Sequence, residues 1–109
     1  MMYYDFMVDG KEYKLRLNTR ATVLLEKQLG CNPLSIFGNG ETIPKVTTMV
    51  TILHASMQQY HHNVDMNEAY DIFDKYINED NHTIVDFTNV IIEIYKASGI
   101  IKKDPEEKN

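Results

Sequence analysis

Apolar and polar residues alternate strictly at the start of the chain. Tyr4, Phe6 and Val8 share one face of an extended segment, with Tyr3, Asp5 and Met7 on the other. Asp9-Gly10 follows, a dipeptide suited to the positive-φ positions of a two-residue hairpin turn. The alternation then resumes, with Tyr13, Leu15 and Leu17 on one face and Glu12, Lys14 and Arg16 on the other. These positions predict a β-hairpin with one apolar face and one partly charged face.

Beyond Leu17 the apolar spacing lengthens to the helical period. Ala21, Leu24, Leu25, Gln28 and Leu29 predict a helix near 20–29, with Asn18 or Thr19 to cap its start and Gly30 to end it. Asn32-Pro33 reads as a cap followed by proline at the first helical position, and Leu34, Ile36 and Phe37 make a single apolar turn. Gly38-Asn39-Gly40 is a loop by composition. Pro44 then opens a longer helix with Val46, Met49, Val50, Leu53, Met57 and Tyr60 on one stripe, closed near Asn63. Asp65 and Glu68 resemble a capping box for the next helix, whose apolar face is Ala69, Ile72, Phe73, Tyr76 and Ile77. Thr83 caps the last, striped by Ile84, Phe87, Val90, Ile91, Ile94 and Tyr95 and stopped by Gly99. Ile100 and Ile101 fit the hydrophobic contact that follows a glycine cap. The architecture expected is α+β and mostly helical: an N-terminal hairpin, three main helices and a short helical turn.

Length and charge narrow the picture. The chain has 109 residues, enough for one domain, expected over 1–101. Residues 102–109 contain Pro105, Glu106 and Glu107 and no apolar side chain, and are expected to form a disordered polar tail. The net charge is −5 and no Lys/Arg run exceeds two residues, which argues against nucleic acid and against an anionic membrane surface. No apolar stretch approaches the roughly 20 residues of a membrane span. Cys31 is the sole cysteine, so no internal disulfide forms, and a reducing, cytoplasmic setting is expected.

Residues capable of chemistry are present without the spacing that chemistry requires. His54, His61, His62 and His82 do not form an i, i+4 ligand pair, and Cys31 has no CxxC partner. The histidines read as solvated groups near helix ends, and Cys31 as a small buried hydrophobe. Asp65, Glu68, Asp71 and Asp74 recur every third residue and read as a solvated acidic flank. A small metal enzyme built on His54, His61 and Asp65 would need a ligand pattern that is missing. No catalytic, cofactor-binding or metal-binding residue is assigned, and a non-enzymatic binding protein is expected.

What remains is apolar surface. Hairpin and helices together offer more apolar face than so small a body is expected to hide, and an exposed remainder would mark an interface. The expected partner-binding residues are Met49, Leu53, Met57 and Tyr60, provided one edge of that stripe is exposed, followed by Phe37 and by Tyr3 and Met7 on the hairpin. On that placement, charged residues at Met49 and Met57 would weaken binding and leave the fold intact.

The order of segments resembles a known family. The residues are Tyr4-Asp5-Phe6, Asp9-Gly10-Lys11-Glu12-Tyr13-Lys14-Leu15, Leu25-Glu26-Lys27-Gln28-Leu29-Gly30 and Asn32-Pro33-Leu34. They continue as Ile52-Leu53-His54-Ala55-Ser56, Tyr70-Asp71-Ile72-Phe73-Asp74 and Ile94-Tyr95-Lys96-Ala97-Ser98-Gly99. From Tyr4 to Ile101 the chain looks like the short tail assembly chaperones of siphophages and prophages of Gram-positive bacteria. The resemblance implies a cofactor-free protein of the host cytoplasm, absent from the mature virion, that self-associates. It would keep the tape measure protein soluble and help recruit the tail tube protein. The other class of binding protein compatible with the residues is an acidic phage or bacterial adaptor or inhibitor.

Overall fold

The computed structural model describes residues 2–37 and 43–102. Two strands, β1 (Tyr4–Val8) and β2 (Lys11–Leu15), form an antiparallel hairpin in the register Tyr4↔Leu15, Phe6↔Tyr13, Val8↔Lys11. Asp9 and Gly10 take φ of 50° and 77°, the left-handed pair that a two-residue turn needs. Four α-helices follow among the described residues: α1 (Thr19–Leu29), α2 (Val46–Met57), α3 (Met66–Asn78) and α4 (Ile84–Ala97). A 3₁₀ turn, Pro33–Phe37, lies between α1 and α2. The α+β, mostly helical class is as expected. The helix near 20–29 is a full three-turn element, which makes four main helices where the pattern predicted three.

Each helix start has a local cause. The Asn18 side chain accepts from the Ala21 N–H at 2.8 Å, and Asp65 accepts from the Glu68 N–H at 2.9 Å. Thr83 and Asp86 form a reciprocal capping box, with each side chain accepting from the other's backbone N–H. At the other ends, Gly30 and Gly99 have φ of 72° and 79°. After Gly99, Ile100 N–H reaches back to the Tyr95 carbonyl at 2.9 Å and folds Ile100 onto the core.

The helix α2 occupies the centre. It packs on α1, α3, α4 and β2, and Met49, Val50, Ile52, Leu53, Ala55, Ser56 and Met57 are all buried. Around it close Phe6, Val8, Leu15 and Leu17 from the hairpin, Leu25 from α1, Phe73 and Tyr76 from α3, and Phe87, Ile91 and Tyr95 from α4. Phe6, Phe73, Tyr76 and Phe87 form one aromatic cluster with ring centroids 5.0–6.5 Å apart. Tyr95 Oη donates to the Pro33 carbonyl at 2.9 Å inside the core, tying the 3₁₀ turn to α4.

Several expectations are corrected. Met49, Leu53 and Met57 are 0% exposed, so they do not line an open surface. The helical spacing implies a one-sided stripe, but Ile52, Ala55 and Ser56 are also buried, which leaves a row through Thr47, Thr51 and His54 partly open and makes α2 central. The helix begins at Val46, after buried Pro44, and ends at Met57 rather than near Asn63. The Gln58 amide donates to the His54 and Val64 carbonyls and turns the chain there. Leu24, assigned to the inner face of α1, is exposed. Cys31 is exposed too, because it follows the left-handed Gly30 in the turn out of α1. The Gly38-Asn39-Gly40 loop and residues 103–109 of the polar tail lie outside the described residues.

A central α2 sets a test. Leu53→Ala should cost about 2–5 kcal/mol in chemical denaturation, the range for an emptied core site. A cost below roughly 1 kcal/mol would mean that α2 is not enclosed.

Candidate functional site

The outer side of the hairpin gathers three of the expected binding residues. The turn after α2 places Tyr60 against Tyr3, ring edge to ring face, with centroids 5.5 Å apart and planes at 68°. Lys14, on the same outer face, sets its ammonium 5.1 Å from the Tyr3 centroid and 6.0 Å from that of Tyr60. Met7 shares this face further along β1 and is 53% exposed. Tyr60 is 37% exposed, and Tyr3 is half-buried. The result is a small surface of two ordered tyrosines, one methionine and one cation.

His61 holds this surface in place. Its Nε2 accepts from the Lys14 N–H at 2.9 Å, and its ring meets Tyr13 edge-on at 5.4 Å. Nε2 therefore carries no proton, and the neutral ring keeps its hydrogen on Nδ1. Burial, then the ammonium groups of Lys11 and Lys14, hold its pKa below the usual 6.5. The neighbouring backbone bond, Arg16 N–H to the Ser56 carbonyl at 2.8 Å, closes the same seam between β2 and α2.

Phe37 lies apart from this surface. It is 38% exposed and touches Tyr95 edge-on at 6.2 Å. Other exposed apolar side chains include Val23 and Leu24 on α1, Leu34 in the 3₁₀ turn, Tyr70 on α3 and Val85 on α4, together with Val46 and Ile84, which the spacing places on the inner stripes of α2 and α4. Val23 and Leu24 line a shallow open depression with Arg20 and Lys27, residues not singled out in the sequence. The available signal was two adjacent apolar residues, Leu24 and Leu25, on one helix: both cannot face inward on a narrow stripe.

Among the described residues, no three His, Cys, Asp or Glu side chains are grouped to hold an ion. His61 uses Nε2 on the backbone of β2, while His82 stacks on Tyr76 with centroids 4.3 Å apart and contacts Asp86 through Nδ1 at 3.3 Å. Bonds from Thr83 and His82 keep the Asp86 carboxyl below its usual value, and burial pushes the Tyr76 hydroxyl up to about 12. Neither group is poised for proton transfer near neutrality. No helix in the described residues is long and apolar enough to cross a membrane.

A small α+β domain with an ordered aromatic surface is thus the class defined by fold and site. The chain belongs to a family of unknown function, DUF6096, whose profile matches residues 6–109. No curated protein and no solved structure matches it.

His61 makes the seam sensitive to acid. Its folded-state pKa is lowered, so the folded chain binds fewer protons than the unfolded chain just below pH 6.5. Stability should therefore fall as pH drops through 6.5 toward the folded-state value. The Asp86 contribution acts lower, below 3.8, and does not overlap the start of this window. Gln at position 61 keeps an acceptor that does not titrate. Denaturation midpoints of His61→Gln should be flat between about pH 6.5 and 5, where the parent declines. Parallel slopes would remove His61 from that role.

Proposed function

We propose that this chain is a non-catalytic, polypeptide-binding protein that works as a phage tail assembly chaperone. In this reading it holds the tape measure protein in the host cytoplasm, helps recruit tail tube protein, self-associates, and does not enter the mature virion. The resemblance over Tyr4 to Ile101 motivates the specific role.

The observation that carries the binding reading is the Tyr3–Tyr60 pair. Two aromatic rings far apart in sequence meet at the surface, already ordered and with Lys14 beside them, while Met7 lies further along the same face. Tyrosine contributes large contact area while losing few rotamers, which is why it dominates binding hot spots. Methionine adapts to an irregular partner. The acidic net charge keeps such a protein dispersed while it presents apolar groups.

Co-expression with the tape measure protein that this reading places beside its gene tests both levels. The parent chain should keep that protein in the soluble fraction and co-purify with it. Tyr60→Ala with Met7→Glu should weaken capture by roughly tenfold while the thermal melt stays cooperative. Full capture by the double variant would move the surface elsewhere. Failure of the parent chain itself would dismiss the tail-assembly role.

A further inference from the structure

We propose that the outer edge of β1 is a docking site for one extended strand of another polypeptide, with a basic residue at its centre. This deepens the reading above and rests on it only in taking the occupant to be a polypeptide.

The backbone geometry is the first argument. A two-residue turn makes Val8↔Lys11 the closing hydrogen-bonded pair, and the antiparallel alternation extends this to Phe6↔Tyr13 and Tyr4↔Leu15. Asp5↔Lys14 and Met7↔Glu12 are then the intervening pairs, whose N–H and C=O groups point away from the partner strand. The far side of β2 bears this out: the Lys14 N–H finds His61 and the Arg16 N–H finds the Ser56 carbonyl.

The two edges are treated differently. The edge of β2 is closed at Lys14 and Arg16 by these bonds, while the Glu12 N–H beside the turn has no partner among the described residues, and the Leu17 N–H beyond the strand donates to Ser98 Oγ at 2.8 Å. On the β1 side the Asp9 N–H is taken by the Asp80 carboxylate, at 3.0 and 3.2 Å. The N–H groups of Asp5 and Met7 have no hydrogen-bond partner among the described residues, and both residues are exposed. An edge of this kind is usually blunted by lysine, proline or a bulge. Strand β1 has none of the three, and its one charged side chain is Asp5: its sequence is YDFMV and its register is unbroken.

Charge selects the occupant. Asp5, Asp9 and Asp80 border the open edge, while the hairpin's cations Lys11, Lys14 and Arg16 all lie on or just beyond β2. An added antiparallel strand would place one side chain across Asp5 and others across Met7 and Tyr3 on the outer face. A basic residue between two apolar ones complements that row. A second copy of β1 supplies no cation and sets Asp5 against Asp5 or against Met7, so self-pairing does not fit.

The probe is a capped synthetic heptapeptide, TVTRTVT, added to the 15N-labelled full chain. Amide exchange at Asp5 and Met7 should slow at least roughly tenfold at saturation, as new strand bonds form, with Lys14 and Arg16 unchanged. Replacing the central Arg by Glu should weaken binding by roughly fivefold. Met7→Pro removes one outward N–H and no bond to β2, and should abolish the protection. Should that variant unfold, Asp5→Lys is the substitute, and it should reverse the preference toward the Glu peptide. Unchanged exchange at Asp5 and Met7 would overturn the proposal. So would protection in the peptide-free protein: rising with protein concentration, it would give the edge to a second copy, and independent of concentration, to the chain's own remaining residues. Tape measure capture can stand or fall separately from any of these results.

Discussion

Burial of α2 on nearly every side is the constraint on which the other contacts depend. A helix with Met49, Val50, Ile52, Leu53, Ala55 and Met57 all withdrawn from water cannot sit at a surface. Each of its large apolar side chains contributes about 1.5–3 kcal/mol when fully buried, and that gain requires α1, α3, α4 and the hairpin to enclose it together. The surrounding elements can then be one-sided. Their inner stripes meet α2 or each other, and their outer faces take the charge.

The hairpin shows what enclosure does at the periphery. Two strands alone are marginal in water, so this pair depends on its inner face of Phe6, Val8, Tyr13 and Leu15. Its attachment is uneven. Ser56, at the buried end of α2, bonds to the backbone next to β2, and His61 in the following turn bonds to β2 itself, whereas among the described residues the β1 side is tethered at its edge through Asp9 in the turn. The end of α2 therefore decides which edge of the sheet is sealed. It also carries Tyr60 round to meet Tyr3, so the aromatic surface and the closed edge have one structural origin.

Most of the fold was legible because its signals are local. Alternation marked the strands, Asp9-Gly10 the turn, and Asn18, Asp65, Thr83, Gly30 and Gly99 the helix limits, each through a bond to a neighbour a few residues away. The candidate site was legible in part. Tyr3, Met7 and Tyr60 were picked out by their residue type and face, but their meeting depends on where α2 stops. That stop is set by Gln58 bonding to the His54 and Val64 carbonyls, a contact with no periodic signature. Met49, Leu53 and Met57 were misplaced for a different reason. A stripe reports which residues face inward if a helix has one buried side, and the small residues Ala55 and Ser56 on the flank of α2 show that it has more than one. Packing neighbours of that size signal close approach by another element, a tertiary fact that hydropathy alone understates.

The distribution of polar bonds also bears on what kind of function such a body supports. Several of the ionisable side chains with clear shifts tie elements together: His61 accepts from a strand N–H, Asp86 serves a helix cap and contacts His82, and Tyr95 donates to a buried carbonyl. Each bond fixes one element against another. Among the described residues, what faces outward includes backbone at the edge of β1 and aromatic surface at Tyr3 and Tyr60. Both are features another polypeptide chain can use directly, the first through its peptide groups and the second through its side chains.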